Sequence, residues 1–257
     1  MRTIGIIPAR MGSSRFPGKP LKHILGMPML GHVYFRSKMS TLMDEVYIAT
    51  CDKEVIDYAS SIGAKAVMTK DTHERATDRT AEAMEKIEAA EGARMDIVVM
   101  IQGDEPMVTP EMIDAAVRPL IEDNQVLVSN LMASLKNAEE HDDKNEPKVV
   151  VDRFNNALYF SREAIPSRWK IGEKVPMNKQ VCIIPFQRDF LLKFNALEPT
   201  PLEIAESIDM MRVLEHGYSV RMVPCPTADT YSVDTPEDLA YVEEAMKNDP
   251  LMARYKR

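Results

Sequence analysis

Short apolar runs alternate with helically spaced apolar positions along most of the 257-residue chain. Residues 4–8, 46–50, 66–68 and 97–101 are runs of β-type residues with few polar interruptions, the pattern of strands covered on both faces. Between them, residues 29–40, 53–62 and 78–90 carry apolar side chains at helical spacing. Strand and helix in alternation imply right-handed crossovers onto a largely parallel sheet. Residues 110–123 extend the series as a helix, with Thr109 as N-cap and Pro110 in the first turn, where a missing N–H is no loss.

From about residue 127 to 179 this rhythm changes. Residues 141–147 are polar, and two β-type segments, 148–152 and 157–161, flank Arg153-Phe154-Asn155-Asn156, which reads as a hairpin turn. The pattern predicts an insertion at about 135–179 that projects from the sheet. Its apolar Val149, Val151, Leu158 and Phe160 need a cover, for which a second copy of the chain is one candidate. A strand at 181–184, helices near 189–195 and 204–216, a strand at 220–223 and a helix at 236–247 then restore α/β order. The expected fold is a single α/β domain over 1–257, a mostly parallel sheet flanked by helices.

With 45% hydrophobic and 28% charged residues, the chain has enough apolar side chains for a sizeable core. Its longest apolar runs are too short for a bilayer, and Met1-Arg2-Thr3 leads into no signal-peptide h-region. Cys51, Cys182 and Cys225 are odd in number and far apart, which speaks against a disulfide framework or structural zinc and fits a reducing, cytoplasmic compartment. The net charge of −8 disfavours nucleic acid as a partner. The first 43 residues nevertheless hold seven basic residues and no acid, leaving 25 basic against 40 acidic in the remainder. A basic opening on an acidic body points to a local anion site.

Three segments carry the candidate chemistry. Pro8-Ala9-Arg10-Met11-Gly12-Ser13-Ser14-Arg15-Phe16-Pro17-Gly18-Lys19-Pro20 follows the first strand, where open α/β sheets place their ligands. Its glycines allow close backbone approach, Ser13 and Ser14 add hydroxyls, and Arg10, Arg15 and Lys19 add charge, a composition suited to a triphosphate. A Gly/Pro-rich surface turn with incidental charges is the plainer alternative. Gln102-Gly103-Asp104-Glu105-Pro106 places an acid just after the apolar strand 97–101, aimed at the same crevice. Asp104 suits magnesium, which takes one or two carboxylates plus substrate phosphates, or simply starts a turn. In Val233-Asp234-Thr235-Pro236-Glu237-Asp238, Thr235 and Asp238 form a helix-capping box, which leaves Asp234 as a candidate second carboxylate.

These segments, with Gly26-Met27-Pro28-Met29, Thr77-Asp78-Arg79, Ala157-Leu158-Tyr159-Phe160-Ser161-Arg162 and Pro201-Leu202-Glu203, resemble the CMP-Kdo synthetase (3-deoxy-manno-octulosonate cytidylyltransferase) family nearly end to end. The resemblance implies a nucleotidyltransferase-type fold with an inserted dimerisation hairpin, a homodimer, and transfer of CMP from CTP to an acidic sugar with release of pyrophosphate. It places Arg10 and Lys19 on the phosphates together with Ser13, Ser14 and Arg15. It also places Pro8, Ala9, Thr77 and Arg79 around the cytidine, Gln102 beside them, and Asp104 and Asp234 on Mg2+. Lys19, Arg10 and Asp104 are the implied catalytic residues.

Three stretches depart from the family's pattern. Arg75-Ala76 stands for Ser-Gly, Gln180-Val181-Cys182-Ile183-Ile184-Pro185-Phe186 for His-Leu-Gly-Ile-Tyr-Gly-Tyr, and Asp209-Met210-Met211-Arg212 for Glu-Gln-Leu-Arg. An acceptor pocket of Arg162, Gln180, Ile184, Asp209 and Met210 keeps a cation but offers fewer partners for sugar hydroxyls. That predicts Kdo itself to be a poor substrate and a modified or smaller acid a better one. A phosphonate or other small acid is the alternative acceptor, and an inactive nucleotide-binding regulatory protein the alternative of another class. The absence of GxGxxG after the first strand speaks against a dinucleotide-dependent oxidoreductase. The five histidines show no metal spacing and read as structural or solvent-facing; the 19 methionines read as core, and Trp169 as dimer packing.

Overall fold

The first apolar run becomes β1 (Thr3–Ala9), buried along its whole length, in a computed structural model that describes residues 1–12, 15–226 and 231–255. A tight antiparallel pair, β2 (His23–Ile24) and β3 (Met27–Pro28), follows, turning at Leu25 and Gly26, both with positive φ. Then come α1 (Met29–Ser37), β4 (Glu45–Thr50), α2 (Lys53–Ser61), β5 (Lys65–Met68), α3 (Ala76–Glu91) and β6 (Ile97–Ile101). Helix α1 stops three residues before its expected end. The Asp114 carboxylate accepts bonds from the Ser40 and Thr41 hydroxyls and from the N–H groups of Thr41 and Leu42, which draws that segment out of the helix.

The chain forms two compact units, 1–114 with 229–257, and 115–228. In the first, parallel strands run in the order β6–β1–β4–β5, as the alternating pattern predicts. Ile6 stands opposite Tyr47 on one side and Met100 on the other. Parallel neighbours end on the same edge, so the segments after Ala9, Thr50 and Ile101 all leave the sheet there. Helix α4 (Pro110–Glu122) begins at the expected cap, with Thr109 Oγ1 accepting the Met112 N–H.

The second unit contains β7 (Ser129–Ser134), α5 (Ala138–Asp142), β8 (Lys148–Val151), β9 (Ala157–Ser161), β10 (Asn178–Val181), β11 (Ile183–Gln187), α6 (Arg188–Ala196), α7 (Pro201–Glu206), α8 (Met210–Glu215) and β12 (Arg221–Pro224). Its sheet has the order β12–β7–β10–β8–β9, antiparallel except for β12 beside β7. The expected hairpin is β8–β9, and its turn is built on Asp152, whose carboxylate accepts the N–H groups of Phe154 and Asn156. It does not stand free, however: Val149 and Phe160 are fully buried within the chain, because α8 packs on β9, and only Leu158 of the four apolar residues is exposed.

Two expected elements are divided. The strand at 181–184 breaks at Cys182, where the Asn130 amide donates to the carbonyls of both Val181 and Ile183. The helix at 204–216 becomes α7 and α8, reversing at Ser207 (φ 54°). A continuous helix could not return the Glu215 carboxylate to the N–H groups of Leu202 and Glu203, which it accepts here. The buried Arg212–Glu203 pair, with two bonds of 2.7 Å, closes the same reversal.

The chain returns to the first unit through α9 (Pro236–Met246) and α10 (Met252–Tyr255). Fully buried Arg36 on α1 pairs with Asp249 and donates to the Tyr255 hydroxyl at 3.0 Å. Among the described residues, no helix is long and apolar enough to cross a membrane, and no disulfide joins Cys51, Cys182 and Cys225.

Candidate active site

The loop after β1 is closed by the Gly18 N–H donating to the Met11 carbonyl at 3.0 Å. Gly18 has φ 72°, a left-handed conformation that suits glycine, and passes directly into a 3-10 turn over Lys19–Leu21. Phe16 anchors the loop from below, in an apolar cluster with Ile24, Met29, Val233, Val242 and Met246. Lys19 and Asp234 thus sit next to, or a few residues from, side chains of one core cluster, and packing fixes their spacing.

The two candidate acids are held by backbone bonds, which leaves their carboxylates available. A Cβ at Gly103 would lie 3.1 Å from the Pro8 carbonyl, so glycine lets the segment after β6 lie close against β1. The Asp104 carbonyl accepts the Val233 N–H at 2.9 Å. At the start of α9 the expected capping box is present: Asp238 accepts the N–H groups of Asp234 and Thr235, and Thr235 Oγ1 accepts the Asp238 N–H.

These constraints bring Lys19 Nζ to 2.7 Å from Asp104 Oδ2 and 3.0 Å from Asp234 Oδ1, while Arg15 approaches the same Asp234 oxygen at 3.0 Å. Burial pushes the Lys19 pKa down, but Asp104 and then Asp234 outweigh it and hold the ammonium above its ordinary value. Two carboxylates converging on one cation form a donor set that fits a divalent, oxygen-seeking ion, with the ammonium standing in for its charge. Among the described residues no cluster of three or more His, Cys, Asp or Glu side chains forms a self-sufficient metal site. A metal at Asp104 and Asp234 would complete its shell with water and phosphate, as magnesium does.

Pro8, Ala9, Arg10, Arg15, Lys19, Arg79, Gln102, Asp104 and Asp234 line a single cleft in the first unit. Arg10 is exposed there and forms no ion pair among the described residues. Thr77 is fully buried in the first turn of α3 and does not line the cleft, and Ser13 and Ser14 lie outside the described residues. Arg79, also buried, donates to Thr69 Oγ1 and to the Lys70 carbonyl, so it holds the chain entering α3.

His73 and Glu74, which sequence reasoning missed, also line the cleft, as do Arg75 and Ala76, met in the sequence only as departures from the family's pattern. His73 Nε2 bonds the Glu82 carboxylate, which also accepts the Lys70 N–H at 3.0 Å and meets Lys86 at 2.7 Å. Burial pushes the Glu82 carboxyl up, but Lys86, Lys70 and His73 together bring it to about 2. Through these bonds Glu82 ties this wall of the cleft to α3. The position of the segment, just before Thr77-Asp78-Arg79, was the available signal.

All five acceptor candidates belong to the second unit. Arg162, following β9, donates from its N–H and Nε to Glu206 and from Nη1 to the Lys144 carbonyl at 2.8 Å. Gln180 Nε2 donates to Asn130 Oδ1 at 2.6 Å. Asp209 is the N-cap of α8, while Ile184 and Met210 are core residues, 3% and 0% exposed. Arg162 thus follows β9, Gln180 lies on β10, Ile184 on β11, and Asp209 and Met210 together begin α8.

A family model described as cytidylyltransferase matches residues 4–222. The chain is 40% identical to a 3-deoxy-manno-octulosonate cytidylyltransferase of Geobacter metallireducens, over 96% of this chain and 98% of the relative. It is 42% identical to the enzyme of that name from Syntrophobacter fumaroxidans, over 98% and 100%. Among solved structures, a CMP:2-keto-3-deoxy-manno-octonic acid synthetase complexed with CTP superposes with a TM-score of 0.88 at 37% identity, covering 96% of this chain and 98% of that one.

Proposed function

The chain belongs to the 3-deoxy-manno-octulosonate cytidylyltransferase family, and on that premise we propose that it transfers CMP from CTP to Kdo or a related 3-deoxy-2-ulosonic acid. The acceptor's anomeric hydroxyl gives up its proton to solvent as its oxygen forms a bond to the α-phosphorus, the bond from that phosphorus to the bridging oxygen breaks, and pyrophosphate leaves with the electron pair. The observation that carries this reading is the Lys19 ammonium shared by Asp104 and Asp234 in a cleft also lined by Arg10 and Arg15.

In this reading Arg10, Arg15 and Lys19 neutralise the triphosphate and the departing pyrophosphate, and their placement in advance is most of the catalysis. Pro8, Ala9 and Gln102 line the nucleoside, while His73 and Arg79 hold the segment that leads into α3 and carries Thr77. Asp104 and Asp234 would hold magnesium, whose charge would polarise the phosphates and lower the pKa of the attacking hydroxyl. With that charge in place, the Lys19 ammonium would be free to turn from its two carboxylates to the phosphates. We expect CTP to be used in preference to ATP, GTP and UTP. Pyrophosphate release at equal rates from all four, with acceptor in excess, would contradict this.

For the acceptor, Arg162 supplies a cation, while Gln180, Ile184 and Met210 supply few partners for hydroxyls. Kdo is therefore expected to give a lower kcat/KM than a modified or smaller ulosonic acid. A value for Kdo of about 10⁴ M⁻¹s⁻¹ or above would instead mean that these residues rebuild an ordinary Kdo pocket. The odd number and wide separation of Cys51, Cys182 and Cys225 support a cytoplasmic location.

The exposure of Trp169 (88%), Phe154 (71%) and Leu158 (61%), all in or beside the hairpin region, supports a homodimer built there. Light scattering at micromolar concentration is expected to give twice the chain mass; a monomer mass would refute the dimer.

A further inference from the structure

Asp52 is the N-cap residue of α2, where an Asp side chain ordinarily accepts the N–H of the helix's second or third residue. It makes no such bond. Its Oδ2 instead accepts the Met11 N–H at 2.7 Å. The parallel register explains how the two meet: Ala9 stands opposite Thr50, and Met11 and Asp52 each lie two residues beyond those strand ends. The carboxylate is steadied in turn, since the Asp52 N–H donates to Thr50 Oγ1 at 3.1 Å and the Cys51 thiol lies 3.7 Å from Oδ2.

Met11 is thus held on both sides, its N–H by Asp52 and its carbonyl by the Gly18 N–H. Arg10 precedes this pinned residue, Lys19 follows Gly18, and Arg15 lies between. A carboxylate here also works against anion binding, because it lowers the positive potential of the loop. Giving up a helix cap and tolerating an adverse charge are both understandable if the fixed position of Met11 matters more.

We propose that Asp52 is a positioning residue for nucleotide binding: it fixes the first peptide of the loop so that Arg10, Arg15 and Lys19 are arranged for a triphosphate before it arrives. It acts through Met11 and touches no substrate. The inference rests on the cleft being the CTP site. It differs from a charge effect because a neutral acceptor of the same shape would serve as well.

The test is calorimetric titration of Mg2+–CTP into wild type, Asp52→Ala and Asp52→Asn, with amide exchange of Met11 followed without nucleotide and Ile101 in β6 as internal reference. Asp52→Ala is expected to weaken CTP binding about tenfold and to raise KM for CTP more than it lowers kcat, the cost of losing a hydrogen bond that preorganises a site. Its Met11 amide should exchange faster while Ile101 is unchanged. Asp52→Asn should restore both readouts to within about threefold of wild type, since its amide oxygen still accepts. Unaltered CTP affinity in the Ala variant, an Asn variant as weak as Ala, or parallel loss of protection at Met11 and Ile101 would overturn the inference. A wild type that binds no CTP would overturn the nucleotide reading, and this inference with it.

Discussion

Asp104→Asn and Asp234→Asn are each expected to lower kcat by about a hundredfold or more, because each removes half of the carboxylate pair proposed to hold the catalytic metal. The substitutions keep side-chain shape, and the backbone of each segment is held independently, through the Asp104 carbonyl to Val233 and through Asp238 to Asp234. Folding stability should therefore change little, and raising the magnesium concentration should recover part of the lost rate. Steady-state turnover at saturating CTP measures this. Near-normal turnover in the Asp234 variant would reduce that residue to a shoulder of the helix start.

The second large effect concerns stability. Asp249→Ala is expected to destabilise the first unit by about 3–5 kcal/mol, the penalty for leaving a buried charge without its partner. Arg36 is fully buried, and after the loss of Asp249 it keeps only neutral partners, the Tyr255 hydroxyl and the Val108 carbonyl. Replacing both members, Arg36→Met with Asp249→Leu, should recover most of that loss, because the cost lies in the unpaired charge. Urea unfolding midpoints of the single and double variants decide; equal losses in both would place the effect in packing.

The same distinction between local and distant causes separates what was legible in the sequence from what was not. The strand at 97–101 coincides with β6, and the Thr109 cap and the Thr235–Asp238 capping box are present, because each depends on residues within one turn. β7 was missed because its Ser129 and Asn130 are polar yet buried, their partners being the Ala116 carbonyl and the carbonyls of Val181 and Ile183. Asn130 also divides β10 from β11, and the α7–α8 reversal is imposed by Glu215 and Arg212 reaching back to the start of α7. None of these partners is close enough in sequence to leave a periodic signal.

The candidate site shows the same contrast. Arg10, Arg15, Lys19 and Asp104 stand out because charged residues in Gly/Pro segments after strands have few structural reasons to be there, and Asp234 because the Thr235–Asp238 capping box leaves it without a local role. His73, read from the sequence as structural or solvent-facing, does make a structural bond to Glu82 on α3, but its place in the cleft wall depends on that helix and leaves no mark in the local sequence. Asp52 was invisible for the opposite reason: as the residue before a helix it already had an ordinary explanation.

Anion-exchange separation and mass spectrometry of the products formed from CTP, Mg2+ and a set of 3-deoxy-2-ulosonic acids that includes Kdo would test the central claim most directly. A CMP ester of at least one of these acids is expected, formed in equal amount with pyrophosphate and absent when acceptor is omitted. CTP left intact with every acid, or hydrolysed to CMP or CDP with no acid attached, would contradict it.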